Sequence, residues 1–420
     1  MKVLVIGSGG REHAVIRKLK ESREIGKIFC APGNGGISVL AAPVDVKATD
    51  IDGMVHFAKT EGIGFAVVTP DDPLVLGMAD ALEAAGIPAF GPSKAAAQIE
   101  GSKVFAKSLM KKYGIPTAKY EVFDDPAQAI AYIQRENRFP AVIKADGLAL
   151  GKGVVIAQNL GEAKEAVRSI MEDRIFGQSG SRVVVEEFLT GKEVSVLAFT
   201  DSHTVVPMVS SMDHKRVYDD DQGPNTGGMG TIAPSPYYTA EVADRCRKEI
   251  FLPTVEAMNK EGCPFKGCLY FGLILTEQGP KVIEYNCRFG DPETQVVLPL
   301  LKTDLFTIFK AVREERLDQL DIQWSAGAAA CVILASGGYP KKYETGFPIQ
   351  GLDEQGQYPG VIVYHAGTKR QDGQFLTAGG RVLGVTGLGE DLPQALEKAY
   401  GAAAKIHFPK VHYRTDIGKK

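Results

Sequence analysis

Lys144-Ala145-Asp146-Gly147-Leu148-Ala149-Leu150-Gly151-Lys152-Gly153-Val154 is the stretch on which the reading of the fold turns. Glycine and lysine at that density suggest a phosphate loop. Yet three residues separate Gly147 from the Gly151-Lys152 pair, no Ser or Thr follows Lys152, and a strand rather than a helix comes next. The P-loop pattern is therefore absent. Apolar runs at Ala141–Ala145 and Val154–Ala157 flank the segment, so it reads as a glycine-rich hairpin whose backbone N–H groups can approach oxygen atoms. Period-two alternation puts Val142, Lys144 and Asp146 on one face, which aims Lys144 at the place where such a flap closes. Taken alone, these residues fit a plain surface hairpin equally well.

Downstream, Val183-Val184-Val185-Glu186-Glu187-Phe188-Leu189 is a buried strand ending in two acids and an apolar pair, followed by Glu193. Such an end can offer backbone groups to a flat base and a carboxylate to sugar hydroxyls, although two acids at a strand end are more often simply solvated. The strongest signal is Lys281-Val282-Ile283-Glu284-Tyr285-Asn286-Cys287-Arg288-Phe289-Gly290-Asp291-Pro292-Glu293-Thr294-Gln295. Strand alternation places Glu284, Asn286 and Arg288 on one face and Ile283, Tyr285 and Cys287 on the other. Carboxylate and amide oxygens suit Mg²⁺, and the neighbouring guanidinium suits a bidentate grip on a substrate carboxylate. Between these strands lie Asp213-His214-Lys215-Arg216 and Gly223-Pro224-Asn225-Thr226-Gly227-Gly228-Met229-Gly230, too rich in glycine for helix or central strand. Their cations suit phosphate, and Asp213 is placed to orient or deprotonate an amine; a solvated charge cluster is the bland alternative.

Upstream, the first hundred residues alternate short apolar runs (Val3–Ile6, Lys27–Cys30, Phe65–Val68, Pro88–Phe90) with helical patterns, including one over Pro73–Ala85. That alternation predicts a parallel sheet flanked by helices. Gly7-Ser8-Gly9-Gly10-Arg11-Glu12-His13 lacks the third glycine of a dinucleotide fingerprint, because Glu12 stands there, and no acid follows the second strand. A helix N-terminus with free N–H groups nevertheless predicts room for a sugar phosphate. His13 reads as a helix-face residue. Ser102 opens a further helix that ends at Gly114-Ile115-Pro116.

With 420 residues and roughly 150 per domain, about three units are expected. We place them at 1–101 (Rossmann-like), 102–325 (with an inserted α+β subdomain at about 120–190) and 326–420 (strand-rich, ending in a helix over Leu392–Ile406). The fold class is multidomain, α/β with α+β. A net charge of −3 with mixed signs argues against nucleic acid or membrane partners and for small molecules. No apolar run reaches 18 residues, so a cytoplasmic location is expected. The six cysteines lack zinc spacing and read as buried thiols.

The flap, the Glu-Glu-Phe-Leu strand and the Glu-x-Asn strand, in that order, resemble the ATP-grasp superfamily, and the full run of motifs is similar to the phosphoribosylamine–glycine ligase family. Ala31-Pro32-Gly33-Asn34, Glu100-Gly101-Ser102-Lys103, His365-Ala366-Gly367-Thr368, Gly379-Gly380-Arg381-Val382 and Arg414-Thr415-Asp416-Ile417-Gly418 extend that likeness over the whole chain. The resemblance implies ATP and Mg²⁺ (Mn²⁺ as the alternative ion), with glycine and 5-phosphoribosylamine joined through a glycyl phosphate in purine biosynthesis.

By the same resemblance, Lys103, Lys144, Gly151 and Gly153 would meet the ATP phosphates, Glu186, Glu187, Phe188 and Leu189 the adenine, and Glu193 the ribose. Glu284 and Asn286 would hold the metal. Gly9, Gly10, Pro32, Gly33, Asn34 and Asp71 would line the phosphoribosylamine side. Asp213, Lys215, Thr226, Gly227, Gly228 and Arg288 would lie near glycine, and Lys144, Asp213 and Arg288 would carry the catalysis. The last unit would add Lys369 and Arg381. A related ATP-grasp ligase acting on another purine-pathway ribonucleotide is the alternative. The chain departs from the family at Thr69-Pro70-Asp71-Asp72, where a longer acid is usual, and at Leu269–Leu273, which carries no second metal-binding acid. A monomer or weak homo-oligomer is expected.

Overall fold

The computed structural model describes residues 1–148, 153–175 and 177–419. Gly151 and the rest of the flap tip therefore lie outside the described residues. The N-terminal sheet has five parallel strands in the order Ala42–Pro43, Lys27–Pro32, Lys2–Gly7, Phe65–Val68, Ala89–Phe90. Its central strand is apolar on both faces because both are covered: Leu4 and Ile6 enter one core, Val3 and Val5 another. That second core also takes in Phe306 and Phe309 of the helix Leu305–Arg313 and Cys331 of the C-terminal sheet, so the N-terminal sheet is welded to the later parts of the chain.

The helix expected over Pro73–Ala85 is two helices, Asp71–Leu76 and Met78–Ala84. Gly77 divides them at φ +99°, a left-handed conformation that only glycine adopts without strain, and its N–H closes the first helix on Pro73 and Leu74. Ser102 caps Lys103–Tyr113 as expected, its Oγ accepting from Phe105 N at 3.1 Å.

The second sheet is antiparallel and four-stranded, ordered Tyr120–Phe123, Val183–Glu187, Ala141–Ala145, Val154–Ala157. The helices Pro126–Glu136 and Leu160–Met171 back it, capped by Asp125 and Asn159. This unit has its own core, built on Ile133, Ile143, Val167, Ile170 and Val183. The next sheet is ordered Val205–Pro207, Lys192–Asp201, Lys266–Thr276, Gly279–Asn286. Simple alternation fails in its last strand. Val282 pairs with Leu273 and Glu284 with Gly272, so Ile283 is an extra, bulged residue and does not share the buried face of Tyr285 and Cys287.

The C-terminal sheet is ordered Met212–Asp213, Gly230–Ala233, Ala328–Ser336, Arg381–Gly389, Ile362–His365, with Val411–His412 on the long strand Ala328–Ser336. It thus incorporates two strands from the glycine-rich middle of the chain. The closing helix is Leu392–Ala403, shorter than expected, because Ile406 leaves the helical path to enter the core and Pro409 cannot continue it. All six cysteines are buried and free. Among the described residues no helix is long and apolar enough to cross a membrane.

Candidate active site

Lys144 projects from Ala141–Ala145 next to the strand that carries Glu186, and its ammonium lies 3.1 Å from Glu186 Oε1. Glu186 Oε2 meets Lys107 at 3.0 Å, and no side chain of this trio is more than 5 % exposed. Burial pushes the Lys107 ammonium down to about 8, with Glu186 opposing that shift. Lys107 escaped the sequence reading; the available signal was its place one turn beyond Lys103, on the same helix face.

The Glu186 carboxylate is thus committed to two lysines, and Glu187 Oε1 accepts from Lys119 N at 2.9 Å. Phe188 is exposed and Leu189 half-buried beside them. Lys103 Nζ donates to Gly147 O at 2.7 Å. Asp146 sits on the N-terminus of the same helix, accepting from Ser102 Oγ at 3.0 Å and Val104 N at 3.1 Å, and pairs with Arg182 at 2.6 Å.

Glu284 stands among cations. Lys215 Nζ approaches it at 3.8 Å and Glu193 at 3.4 Å. Burial alone would raise the Glu284 carboxyl, but Lys215, Lys144, Lys103 and Arg288 outweigh it and hold the group below the usual range. The Asn286 amide donates to Tyr285 O at 2.6 Å, which leaves its oxygen as an acceptor. Among the described residues no cluster of three or more His, Cys, Asp or Glu could hold an ion by itself. Two protein oxygens beside a basic, phosphate-ready surface fit Mg²⁺ that takes its remaining ligands from phosphate and water.

Arg288 is not the open fork the sequence suggested. Its Nη2 donates to Glu100 Oε1 at 2.9 Å and its Nη1 to Phe289 O at 3.3 Å, while Asp71 stands 3.9 Å away. A guanidinium this buried needs a carboxylate partner, and Glu100, at the end of Lys94–Gly101, supplies it while also accepting from Cys287 N at 2.7 Å. Among the described residues Arg288 Nε has no hydrogen-bond partner, so one edge of the group remains for a ligand. Asp71, in the first turn of its helix, is held down by Arg288 and Arg11 against the upward push of its burial.

Asp213 accepts from His214 N at 2.8 Å, and burial, reinforced by Glu293, pushes its carboxyl well above the usual range. Glu193 and Glu284 push Lys215 up. Thr226 N and Oγ1 both donate to Lys215 O at 2.8 Å, and Gly228 N donates to Thr226 Oγ1 at 2.9 Å. Gly228 has φ +113°, and a Cβ there would lie 2.6 Å from Asp213 Oδ1, so the backbone must be bare. Gly227 is held by Tyr339 OH, which accepts from its N–H at 3.0 Å, and by Arg381 Nη1, which donates to its carbonyl at 2.6 Å. Tyr339 was not foreseen, since no local pattern marks it.

At the N-terminal turn the helix N–H groups are not all free. Gly9 N donates to Glu12 Oε2 at 2.5 Å and Arg11 N to Asp291 Oδ2 at 3.3 Å, so carboxylates of the protein itself take up two of the N–H groups at that end of Gly10–Leu19. Gly10 is bare because a Cβ would lie 2.6 Å from Gln295 Nε2. Asn34 is likewise engaged by backbone: its Nδ2 donates to Ser8 O at 2.9 Å and His365 O at 2.8 Å, and its Oδ1 accepts from Gly36 and Ile37. It ties the N-terminal turn to the C-terminal sheet rather than standing open to a sugar. Pro32 and Gly33 end their strand, with Gly33 N on Gly7 O at 3.0 Å. His13 is buried, its Nδ1 accepting from His365 N at 2.8 Å. Of the final unit's two candidates, Arg381 reaches the site and also pairs with Asp291 at 3.4 Å, whereas Lys369 has an exposed side chain on the strand Thr368–Gln371, its backbone packed against Gly35.

Family models for phosphoribosylglycinamide synthetase match most of the chain: the N domain at residues 1–100, the ATP-grasp (A) domain at 101–294 and the C domain at 329–420. A phosphoribosylamine–glycine ligase of Caldanaerobacter subterraneus is 49% identical over 417 residues, covering 99% of each chain. The crystal structure of a phosphoribosylamine–glycine ligase of Thermotoga maritima superposes with TM-score 0.86 at 33% identity, covering 100% of both chains. The biotin carboxylase domain of the Hydrogenobacter thermophilus 2-oxoglutarate carboxylase, solved with MgADP and bicarbonate, superposes with TM-score 0.76 over 98% of this chain and 91% of that one. At 19% identity it speaks for the fold alone.

Proposed function

The chain belongs to the phosphoribosylglycinamide synthetase family, and from that premise we propose how its residues divide the work of an ATP-grasp ligase. It is a phosphoribosylamine–glycine ligase of purine biosynthesis. The substrates are ATP, glycine and 5-phosphoribosylamine, and the products glycinamide ribonucleotide, ADP and phosphate. The observation that carries the assignment of roles is the gathering of Lys103, Lys144, Lys215 and Arg288 around one carboxylate, Glu284.

A carboxylate oxygen is a poor leaving group, so glycine must first be phosphorylated. Lys103 and Lys144 neutralise the transferring phosphoryl group, each leaving a protein acceptor to do so, and Glu186 stays compensated by Lys107 when Lys144 moves. Glu284 and Asn286 would hold Mg²⁺ or Mn²⁺, and such an ion would supply charge neutralisation to the phosphoryl group. The free edge of Arg288 receives the glycine carboxylate. Asp213, whose carboxyl has a raised proton affinity, takes a proton from the amine as it attacks the acyl phosphate. The Gly147–Gly153 flap excludes water from that intermediate.

ADP formation is measured with ATP and Mg²⁺, adding glycine and fresh phosphoribosylamine separately and together. Turnover is expected only with both. Sustained turnover with glycine absent, or with a different carboxylic acid in its place, would overturn the substrate assignment.

A further inference from the structure

Arg414 is the largest fully buried side chain in the described structure, and it lies in the last few residues of the chain. Its Nε and Nη2 grip Asp416 through two bonds of 2.7 and 2.8 Å, and its Nη1 reaches Arg216 O at 3.1 Å and Asp221 Oδ1 at 3.0 Å. Around that fork the tail makes further contacts on the same segment. Asp416 Oδ2 accepts from Asp220 N at 2.9 Å, Thr415 N donates to Asp219 Oδ1 at 2.8 Å, and Gly418 N donates to His214 Nε2 at 3.1 Å. Asp220 and Asp221 have φ +56° and +53°, a conformation that residues with side chains hold only where their surroundings impose it.

The segment so held is the substrate loop. Along it the side chains alternate: Asp213 and Lys215 turn toward Glu193, Glu284 and Glu293, while His214 meets the tail and Arg216 offers it a carbonyl. His214 Nε2 accepts from Gly418, so Nδ1 carries the proton and donates to Gly230 O at 3.1 Å, fixing the far side of the loop as well. A buried ion pair is a poor source of stability compared with apolar packing; what it adds is a single geometry.

We infer that Arg414, with Asp416, is a positioning residue for the ligase: the C-terminal tail sets the 213–228 loop and thereby the affinity for glycine and the amine, with no part in ATP binding. This rests on the assignment of the loop to those substrates.

R414K keeps the charge but cannot form the fork, D416N keeps the shape but drops the charge, and K410A, in the same tail but paired with exposed Glu344, is the control. In R414K and D416N the KM for glycine should rise about ten-fold or more, with the KM for ATP within about two-fold of the parent and K410A unchanged. Amide exchange should quicken across 213–228 and stay unchanged across 183–193. Unaltered exchange in the loop, or glycine and ATP constants rising together, overturns the inference. If the parent protein showed no glycine-dependent turnover, the functional reading would fail, while the exchange comparison would still decide whether the tail sets the loop. Should R414K not fold, D416N carries both measurements.

Discussion

Two buried lysines, Lys107 and Lys144, share the Glu186 carboxylate at the heart of the molecule. Lys144 serves the phosphates in our reading; Lys107 keeps Glu186 paired whatever Lys144 does. The arrangement leaves a titration signature. Lys107 is held at about 8 in the folded protein, below the ordinary lysine value, so between there and about pH 10.5 the unfolded chain binds more protons and stability rises with pH. Below about pH 8 the penalty of the buried ammonium is fully present. Urea midpoints of the parent and K107M, taken at about pH 8 and about pH 10, should diverge in the parent's favour by on the order of 2 kcal/mol. A pH-independent difference between the two proteins would refute this account of Lys107. Lys144 and Glu284 were legible in the sequence because strand alternation exposes a polar residue among apolar ones. Lys107 was not, since a lysine on an amphipathic helix normally points to water.

At the scale of elements, the base of the flap is fastened to the helix Lys103–Tyr113 through Asp146, which caps that helix from another part of the chain. Removing the carboxylate in D146A deprives the helix of an acceptor and Arg182 of its partner. The expected loss of stability is modest, about 1 kcal/mol. The functional effect should be larger: a flap less firmly seated lets water reach the acyl phosphate, so ADP release with glycine but without amine should increase against the parent. Tight coupling of ADP release to amine in D146A would rule out that role for the contact. The sequence located the flap, both flanking strands and the Ser102 cap, all of them local signals. It missed the bulge at Ile283, which depends on the register against Leu273 and Gly272, and the break at Gly77, where a left-handed turn interrupts an unbroken apolar pattern.

For the molecule as a whole, the N-terminal sheet and the C-terminal sheet share a core, whereas the flap-bearing unit keeps its own. In our reading a nucleotide would lodge between that unit and the Glu284 strand and draw the pieces together, so ATP with Mg²⁺ should raise the unfolding temperature. At one hundred times Kd the stabilisation is about 2.7 kcal/mol. Calorimetry of the parent with MgATP, with ATP plus chelator, and of E284A with MgATP should give a large shift only in the first case. Equal shifts in all three would remove the metal from Glu284.

The sequence by itself determined the run of strands and helices, the glycine flap and the polar face of the Glu284 strand, because each is written in periodicity or turn chemistry within about a dozen residues. Tertiary structure alone decided the rest. Arg288 is tied to Glu100, Gly9 N and Arg11 N at the start of the first helix meet Glu12 and Asp291, and the 213–228 segment is gripped by Arg414 at Asp221. Each is a choice of charge partner across 3 to 280 residues of chain. Burial makes the pairing obligatory, but only the packed fold determines which carboxylate is within reach.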